Sequence, residues 1–572
     1  MMLRKRTKRS EIEADEILID SENLPDFDRD RFEGRIEQPL RLRSFAAAGI
    51  FLAVIFAAYL VRAGDLQIIK GALYAKQAQE NKLEEQTIIA ERGAISDRTG
   101  RSLVWSERPV VQAGANENDF ARRVYAPYRG IAHALGYAKP PARDSAGFYY
   151  RDTYLGVDGA ERAFDSALGG VNGRVLTEYD ARGEIVSQAR RQEPRAGEKV
   201  VLSLDAEVTQ VLYDAIAART QESRFVGGAG VIMDVHTGEL LAMTSYPEYS
   251  PAALTEGDSE KISVYNSDSR RPFLNRATDG LYAPGSIVKP IIAAAALEEG
   301  VIDEYKQILS TGSISIPNPY NPETPSVFRD WRAHGYVDMR HAIAVSSDVY
   351  FYEVGGGYGA QKGVGIANID KYLQMFGFGM DAGLEGFSQA QGNIPTPQWK
   401  AKTFPDDPVW RIGNTYHTAI GQYGMQITPL QAARAAAALA SGKLVVPTLL
   451  ASRNANIIGA VASTTGESTP LPLSGHSLEV AREGMRMSVR EGIATAVNFA
   501  DLHVAAKTGT AQVGSSNQYM NSWMIGFWPF EYPRFAYAVV LERAPAGTLV
   551  GASAAMSGFF NWLRQNKPEY LN

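Results

Sequence analysis

The segment Gly280-Leu-Tyr-Ala-Pro-Gly-Ser-Ile-Val-Lys-Pro290 leads from a turn into a helix. Pro284-Gly285 predicts the turn, and the apolar run 291–297 predicts the helix. Ser286 therefore lies at a helix start. One interpretation is that its hydroxyl does no more than cap the N-terminus of that helix. Lys289 lies three residues further on, on the same helical face, so its amine can approach Ser286 Oγ.

That spacing suits nucleophilic chemistry better than capping alone, because a cap does not explain the lysine. A serine hydroxyl is a poor nucleophile at neutral pH and needs an adjacent base. Burial of the Lys289 amine would favour its neutral, basic form. Pro290 is compatible with this arrangement near a helix N-terminus, where little hydrogen bonding is lost. The segment therefore predicts Ser286 as a nucleophile and Lys289 as its base.

A second short motif, Ser346-Ser-Asp348, is predicted to form a loop between two helical segments. Such a loop could direct Ser346 and Asp348 into a cleft. The hydroxyl of Ser346 would relay a proton towards a leaving amine, and Asp348 would hold Lys289 or a substrate amide. A helix cap is the alternative explanation of this motif.

The third motif, Lys507-Thr-Gly-Thr510, follows the apolar residues 502–506, which predict a strand. At a strand edge, Lys507 and Thr508 would present a positive charge and a hydroxyl to a substrate carboxylate. Gly509 would let another backbone approach closely. A backbone N–H near Thr510, together with that of Ser286, would stabilise a tetrahedral oxyanion.

Each motif alone is weak, but their order and surroundings resemble the class B penicillin-binding proteins, and most closely the elongation branch of that family. Besides the three motifs, the resemblance rests on Arg92-Gly-Ala-Ile-Ser-Asp-Arg98, Gly156-Val-Asp-Gly-Ala-Glu161, Asp234 to Met243, Ser245 to Pro251, Arg329-Asp-Trp331, Ile420-Gly-Gln-Tyr-Gly424, Thr428-Pro429 and Lys507 to Gln512. One departure is Asp348, where most relatives of the superfamily carry Asn. It leaves open how Lys289 and Asp348 share their protons.

The resemblance implies a fold and a reaction. The expected fold is α+β: a serine acyltransferase domain with an antiparallel sheet flanked by helices, an elongated N-terminal pedestal and one transmembrane helix. The expected enzyme is a serine-type D-Ala-D-Ala transpeptidase that cross-links peptidoglycan stem peptides through a Ser286 acyl-enzyme and is sensitive to penicillin. Its catalytic residues would be Ser286, Lys289, Ser346, Asp348 and Lys507, and its substrate-binding residues Thr508, Gly509 and Thr510. No cofactor or metal is expected.

The implied partners are stem peptides, β-lactam antibiotics, the membrane, a SEDS-type glycosyltransferase and scaffold proteins of the elongation complex. Three other functions stay open at this point. A septal transpeptidase or a β-lactamase would use the same motifs, although a lactamase also needs a base that hydrolyses the acyl-enzyme. A β-lactam sensor, or a scaffold that activates a glycan polymerase, would need no catalysis.

Along the chain, residues 1–43 predict a disordered cytoplasmic tail, 44–62 a transmembrane helix, 63–198 the pedestal and 199–572 the transpeptidase domain. The pedestal is a mixed region of short strands and helices with glycine turns. In the transpeptidase domain, the pattern predicts a helix over 205–216, a hairpin over 228–243, and strands at 523–527 and 536–541.

The predicted membrane segment, residues 45–61, contains 17 residues and no charge, which is at the lower limit for a spanning helix. Five arginines lie between positions 28 and 44, against three basic residues between 62 and 79. This bias favours a cytoplasmic N-terminus, so the catalytic region would be periplasmic or otherwise extracytoplasmic, attached to the inner membrane by one span.

Composition excludes several classes of function. The net charge of -6 and the lack of a basic face with interleaved aromatics argue against nucleic acid binding. With no cysteine, the chain can form neither disulfides nor a thiolate nucleophile. His334 and His341 lie seven residues apart without a convincing set of metal ligands. Trp331 and Trp399 are interpreted as core in preference to cleft walls.

Overall fold

A computed structural model describes residues 42–80, 83–108, 120–179, 185–318, 321, 323–452 and 466–572. Nearly all of the predicted cytoplasmic tail, residues 1–41, lies outside the described residues. The chain divides into two compact units. One comprises residues up to 84 together with 178–186, and the other comprises residues 85–177 together with 187–572. The predicted boundary between residues 198 and 199 therefore stays a prediction.

The first unit contains the helix α1 (Leu42–Gly64), a π-helical turn (Asp65–Ile69) and the helix α2 (Gly71–Glu80). The apolar stretch Phe45–Ile69 has a mean hydropathy of 2.1, and none of it is buried within the protein. Exposed side chains such as Phe51, Phe56 and Leu60 surround the helix, a pattern typical of a segment that contacts lipid. Among the described residues, this is the one helix long and apolar enough to cross a membrane.

The described residues between 83 and 201 form short strands and helices, as the sequence predicts for the pedestal. The elements are β1 (Leu83–Ile88), β2 (Ile95–Ser96), β3 (Ser102–Glu107), β4 (Arg122–Tyr125), α3 (Ala132–Leu135), β5 (Ala138–Lys139), β6 (Ala142–Arg143), β7 (Tyr149–Arg151), β8 (Leu155–Gly156), α4 (Gly159–Ala163), α5 (Asp165–Leu168), β9 (Gly173–Tyr179), β10 (Ile185–Gln192) and β11 (Val200–Val201). Two sheets have the strand orders β1-β9-β10 and β11-β2-β3-β4.

A buried ion-pair cluster joins α4, β4 and the loop between β1 and β2. Glu161 in α4 accepts hydrogen bonds from Arg92 Nε at 2.6 Å and from Arg123 Nε at 2.7 Å. The three side chains are at most 1% exposed. Each guanidinium also donates to a backbone carbonyl, Arg92 to that of Glu161 and Arg123 to that of Gly93. A buried charge needs such partners, because its desolvation is costly.

The remaining elements belong to the catalytic region predicted from the motifs. They are α6 (Ala206–Glu222), β12 (Gly227–Asp234), β13 (Leu240–Tyr246), α7 (Pro251–Glu256), α8 (Ser259–Ser267), α9 (Lys289–Glu298), β14 (Ile308–Ser310), β15 (Ser313–Ile316), β16 (Ser326–Arg329), β17 (Gly335–Val337), α10 (Met339–Val345), α11 (Asp348–Gly356), α12 (Ile366–Met375), α13 (Pro397–Thr403), α14 (Ile412–Ala419), α15 (Pro429–Ser441), β18 (Lys443–Val445), β19 (Ser468–Pro470), α16 (Gly475–Arg490), β20 (Ala505–Val513), β21 (Tyr519–Trp528), β22 (Phe535–Pro545) and α17 (Ala552–Asn566).

A five-stranded antiparallel sheet in the order β13-β12-β22-β21-β20 organises this region. Its central strand β22 is buried on both faces, because alternate residues enter two different cores. Ala536, Ala538 and Val540 belong to the core that includes α9 and α15, whereas Tyr537 and Val539 belong to the core that includes α6 and α17. The predicted α+β fold, its helix at 205–216, its hairpin and its two C-terminal strands are confirmed.

Local sequence signals set the ends of the helices in this region. Asp205 caps α6 by accepting from the backbone N–H groups of Glu207 and Val208. Thr428 and Gln431 form a capping box at the start of α15, with Pro429 at its first turn and Gly442 in the left-handed conformation at its end. These caps fix the bounds of long buried helices against which the sheet packs.

Candidate active site

Ser286 lies in a tight turn that has one close backbone contact with the segment after α14 and one with the sheet. The turn is a 3₁₀ helix, Gly285–Val288, and Gly285 has a φ of 58° that favours glycine. The Gly285 N–H donates to Gly421 O at 2.9 Å. A Cβ at Gly509 on β20 would lie 2.7 Å from Pro284 O, so only a glycine there lets the strand approach the turn. Ser286 is half-buried and lines a cleft of about 980 Å³.

Lys289, the first residue of α9, is completely buried and points its amine at the second motif. Its Nζ lies 2.6 Å from Asp348 Oδ1 and donates to Ser346 O at 2.8 Å and to Ser346 Oγ at 3.3 Å. Within the described residues, no hydrogen bond joins Lys289 Nζ to Ser286 Oγ. The two side chains lie on one short segment, as predicted, but the lysine is bound by residues almost 60 positions away in the chain.

The loop between α10 and α11 is short, as predicted, and consists of Ser346 and Ser347. Ser346 takes the left-handed conformation, with a φ of 59°, which is uncommon for a residue with a side chain. Ser347 caps α11 by accepting from the Tyr350 N–H at 3.3 Å. The helix-cap explanation therefore applies to Ser347. Ser346 Oγ instead accepts hydrogen bonds from the amines of Lys289 and Lys507.

Asp330, which sequence reasoning noted only as part of a resemblance motif, holds this loop in place. Its Oδ2 accepts from Ser347 Oγ at 2.9 Å, from the Val349 N–H at 3.0 Å and from Ser310 Oγ at 3.2 Å. Burial raises the pKa of the Asp330 carboxyl, but backbone hydrogen bonds, chiefly from Val349, outweigh it and leave the pKa below its ordinary value. Asp330 is therefore an ionised anchor of the strained loop.

Lys507 is the third residue of β20 and is completely buried. Its Nζ donates to Ser346 Oγ at 2.8 Å and to Thr508 O at 2.9 Å. Burial, and secondly the nearby charge of Lys289, hold the pKa of the Lys507 amine well below its ordinary value of 10.5. Two lysine amines thus meet at one serine hydroxyl.

The strand that carries the third motif differs from its prediction in position. It begins at Ala505, so Leu502 and its two successors precede the strand and Lys507-Thr-Gly509 lies inside it. The predicted strand edge is present, since among the strands that the structure describes β20 is the last of the sheet and pairs with β21 alone. Thr508, Gly509 and Thr510 line the cleft along this edge.

The elements β16, α11 and α14 contribute Phe328, Tyr352 and His417 to the cleft, and β21 and α17 contribute Trp523 and Ser553. Trp331 also lines it and is 53% exposed, so its interpretation as core is wrong. Its indole stands in solvent because it follows Asp330, whose carboxylate is turned inwards to the loop. Trp399 is half-buried and packs edge-on against Phe404 and Tyr423.

Sequence reasoning missed His417 and Tyr352 as cleft residues. The only signal for His417 was its place three residues before the Ile420–Gly424 motif, whose Gly421 contacts the Ser286 turn. His334 contacts Asp330 at 3.4 Å and His341 contacts Asp338 at 2.9 Å. The described ranges contain no group of three or more His, Cys, Asp or Glu residues that could hold a metal.

This geometry can be compared with known proteins. A family model of the penicillin-binding protein transpeptidase domain matches residues 228–557, more than half of the 572-residue chain. The chain belongs to the penicillin-binding proteins. The matched range contains all three motifs, and a model of the penicillin-binding protein dimerisation domain matches residues 112–202. As a penicillin-binding protein with this domain, it is a serine-type transpeptidase.

Among curated relatives, the penicillin-binding protein is 31% identical over 483 residues to the peptidoglycan D,D-transpeptidase MrdA of Haemophilus influenzae, covering 79% of this chain and 70% of MrdA. The peptidoglycan D,D-transpeptidase FtsI of Escherichia coli is 25% identical over 576 residues, covering 89% of this chain and 88% of FtsI. The higher identity to MrdA favours the elongation branch over the septal alternative.

Two solved structures are similar to this penicillin-binding protein over most of its length. Pseudomonas aeruginosa PBP2 in complex with WCK 5153 has a TM-score of 0.68 at 28% identity and covers 86% of this chain and all of that one. A chain from a peptidoglycan synthase complex, described as coordinating polymerization and crosslinking, has a TM-score of 0.68 at 25% identity and covers 90% of this chain and 97% of that one.

Proposed function

We propose that the protein is the peptidoglycan D,D-transpeptidase of cell elongation and that Ser286 is its nucleophile. The observation that supports this most is the convergence of Lys289, Ser346 and Lys507 beside the cleft that Ser286 lines. The needs of a core do not explain why two lysine amines from distant parts of the chain meet at the hydroxyl of Ser346. Their two buried amines are costly for folding, which a catalytic role explains.

In the first half-reaction, Ser286 Oγ attacks the carbonyl between the two terminal D-alanines of a stem peptide. The serine proton passes to Lys289, and the relay through Ser346 Oγ and Lys507 delivers a proton to the leaving nitrogen. The C–N bond breaks and D-alanine leaves, with an ester on Ser286. Backbone N–H groups of Ser286 and Thr510 stabilise the oxyanion, and Thr508 receives the substrate carboxylate.

In the second half-reaction, an amine of a neighbouring stem peptide attacks the ester carbonyl. The new C–N bond is the cross-link, and the Ser286 oxygen recovers its proton. A β-lactam enters as a mimic of the donor and stops at the ester. The two acids of the cleft, Asp330 and Asp348, are bound to the loop and to Lys289, so neither carboxylate is free to serve as a hydrolytic base. That argues against the β-lactamase alternative.

Labelling of the full-length protein in detergent with a fluorescent penicillin tests the nucleophile. We expect a single adduct on Ser286, located by peptide mass, and no label on Ser286→Ala. Ser515→Ala, an exposed serine in the β20–β21 turn, is the matched control and should label normally. An adduct on another residue would refute the assignment.

The role in elongation is tested in cells of the source organism in which the native protein is depleted. Loss of an elongation enzyme should give rounded cells, whereas loss of a septal enzyme should give filaments. Wild-type protein should restore shape and Ser286→Ala should fail. If Ser286→Ala restores shape fully, the protein acts as a scaffold or sensor and catalysis is dispensable.

The protein also fits a membrane-bound assembly with a cytoplasmic N-terminus. The arginines before α1 and the apolar span support this orientation. The similarity to a chain of a peptidoglycan synthase complex supports partnership with a SEDS-type glycosyltransferase and elongation scaffold proteins. Protease added to intact spheroplasts should digest the catalytic region and spare an N-terminal tag, and cross-linking in membranes should recover the polymerase.

A further inference from the structure

His417 on α14 is a polar side chain in the cleft that the proposed mechanism does not use. Its ring packs against Phe328 with 5.4 Å between ring centroids and against Tyr352 with 6.3 Å. It lines the same cleft as Ser286. Within the described residues, neither ring nitrogen of His417 has a hydrogen-bond partner. A half-buried imidazole thus presents a free donor and a free acceptor to whatever fills the cleft.

The surroundings keep this imidazole neutral. Burial lowers the pKa of His417 below its ordinary value of 6.5, and the charge of Asp348 on α11 opposes that effect only in part. Among the charged groups on the elements around His417, Arg329 at the end of β16 is exposed, and burial raises the pKa of Glu353 on α11 to about 7. Three further groups are engaged elsewhere. Asp348 binds Lys289, the Tyr352 hydroxyl donates to Arg329 O, and Asp330 after β16 holds the Ser347 loop.

The position of His417 indicates which part of the substrate it meets. Under the proposed function, the donor peptide lies along β20, where Thr508 receives its carboxylate. His417, Phe328 and Tyr352 come from α14, β16 and α11 and form a second wall of the cleft without a residue of β20. The second wall combines a basic nitrogen with aromatic rings, which suits an incoming cation.

We propose that His417 binds the amino group of the acceptor stem peptide and takes a proton from it in the second half-reaction. This inference rests on the proposed function. An acceptor that arrives as an ammonium must lose two protons to become the cross-linking amide. The first passes to the free ring nitrogen of His417 and then to water. The second passes through the lysine and serine relay to the Ser286 oxygen as the C–N bond forms and the ester C–O bond breaks.

The test measures the two half-reactions separately on the full-length protein in detergent. The donor is a thioester analogue of the D-Ala-D-Ala peptide, and the acceptor is a stem peptide with a free side-chain amine. The readout is the ratio of cross-linked to hydrolysed product, together with the acceptor concentration for half-maximal transfer. The rate of labelling by fluorescent penicillin reports the first half-reaction alone.

For His417→Gln and for His417→Phe, which keeps the ring packing, we expect the ratio of cross-linked to hydrolysed product to fall about tenfold or more. The labelling rate should fall much less. In the wild type, the ratio of cross-linked to hydrolysed product should drop as the pH falls through the pKa of His417, which lies below 6.5. In both variants this decrease at low pH should be absent. His236→Gln, an exposed histidine in the β12–β13 turn, is the matched control.

Two outcomes would overturn the inference: an unchanged ratio in both variants, or an equal loss in labelling and transfer, which would make His417 a structural or donor-side residue. If a variant does not fold, the decrease of the product ratio at low pH in the wild type still tests the inference, and its absence would contradict it. Failure of the proposed function looks different, since the wild type itself would then form no Ser286 ester.

Discussion

At the scale of single residues, the site depends on two lysines that are buried against the usual preference of an ammonium for water. Lys289 and Lys507 approach the same hydroxyl, Ser346 Oγ, at 3.3 Å and 2.8 Å. Only Lys289 has a carboxylate within reach, at Asp348. Loss of hydration and repulsion from Lys289 therefore destabilise the ammonium form of Lys507, and the pKa of this amine lies well below 10.5. Such groups are retained for chemistry at some expense in stability.

Replacing Lys507 by methionine should separate these two effects. We expect penicillin acylation to fall about 100-fold or more, while thermal stability stays equal or rises. Because the folded pKa is depressed, the unfolded chain binds more protons below 10.5, so wild-type stability rises with pH towards that value. The stability advantage of Lys507→Met should therefore shrink as the pH rises. Lys443→Met, at an exposed lysine, is the control; normal acylation by Lys507→Met would refute this role.

Asp330 should be essential for the geometry of the loop although it is not proposed to react. Asp330→Ala removes the acceptor for Ser347 and Val349 and should cost about 1–3 kcal/mol in unfolding free energy. Asp330→Asn, which keeps one acceptor oxygen, should cost less. Since the pKa of Asp330 is lowered, its contribution is present above pH 3.8 and is lost as the pH falls below that value. Urea unfolding at pH 3 and pH 7 measures this, and equal losses in Asp330→Ala at both would contradict it.

At the scale of elements, the site is formed where the Ser286 turn touches β20, and glycine makes that contact possible. Gly509→Ala would place a Cβ 2.7 Å from Pro284 O and 2.8 Å from the Ile287 side chain. We expect a loss of about 1–3 kcal/mol in stability and a clear loss of acylation, since the strand must move away from Ser286. Gly558→Ala in α17 meets nothing within 4 Å and should stabilise slightly. Thermal unfolding and labelling of both variants check this; normal labelling of Gly509→Ala would exclude the close contact as a requirement.

The elements that local pattern specifies were predictable, and the contacts between distant elements were not. The helix after Ser286, the hairpin at 228–243 and the strand at 536–541 follow from periodicity and turn residues. The motifs predict that Asp348 holds either Lys289 or a substrate amide, but the choice between the two depends on tertiary packing, which no local pattern specifies. The predicted start of β20 is too early, because Leu502 and Val504 are buried apolar residues that precede the strand, with the exposed His503 between them. The one local signal for His417 is its place three residues before the Ile420–Gly424 motif.

The Arg92–Glu161–Arg123 cluster gives a sharp prediction for the small elements after the membrane segment. Glu161→Gln keeps the shape but removes the carboxylate that Arg92 and Arg123 share. Arg92 keeps a second carboxylate, Asp165, at 2.7 Å, so the expected loss of about 3–5 kcal/mol in unfolding free energy comes chiefly from the buried Arg123 guanidinium. Glu193→Gln removes an exposed partner of Arg190 and should cost about 0–1 kcal/mol. Urea unfolding followed by tryptophan fluorescence compares them. Equal small losses would mean that water reaches the Glu161 cluster.

At the scale of the whole molecule, the chain combines one apolar span with an acyl-transfer domain whose proposed substrate lies outside the cytoplasm. The span needs only length and hydrophobicity, so its sequence pattern is sufficient to predict it. The catalytic domain needs register and long-range pairing, such as β12 with β22, whose partners lie about 300 residues apart. The two parts therefore differ in how they respond to substitution.

Arginine at Ala53 and Ala57, near the centre of the span, should disrupt anchoring without direct damage to the catalytic site. Each should make insertion less favourable by about 2.5–3.5 kcal/mol, because the hydrocarbon core solvates charge poorly. We expect the double variant to leave the membrane fraction on carbonate extraction and still to label with penicillin in detergent. Leucine at the same two positions is the control and should stay anchored. If the arginine variant resists extraction as the wild type does, residues 45–69 are not what holds this chain to the membrane.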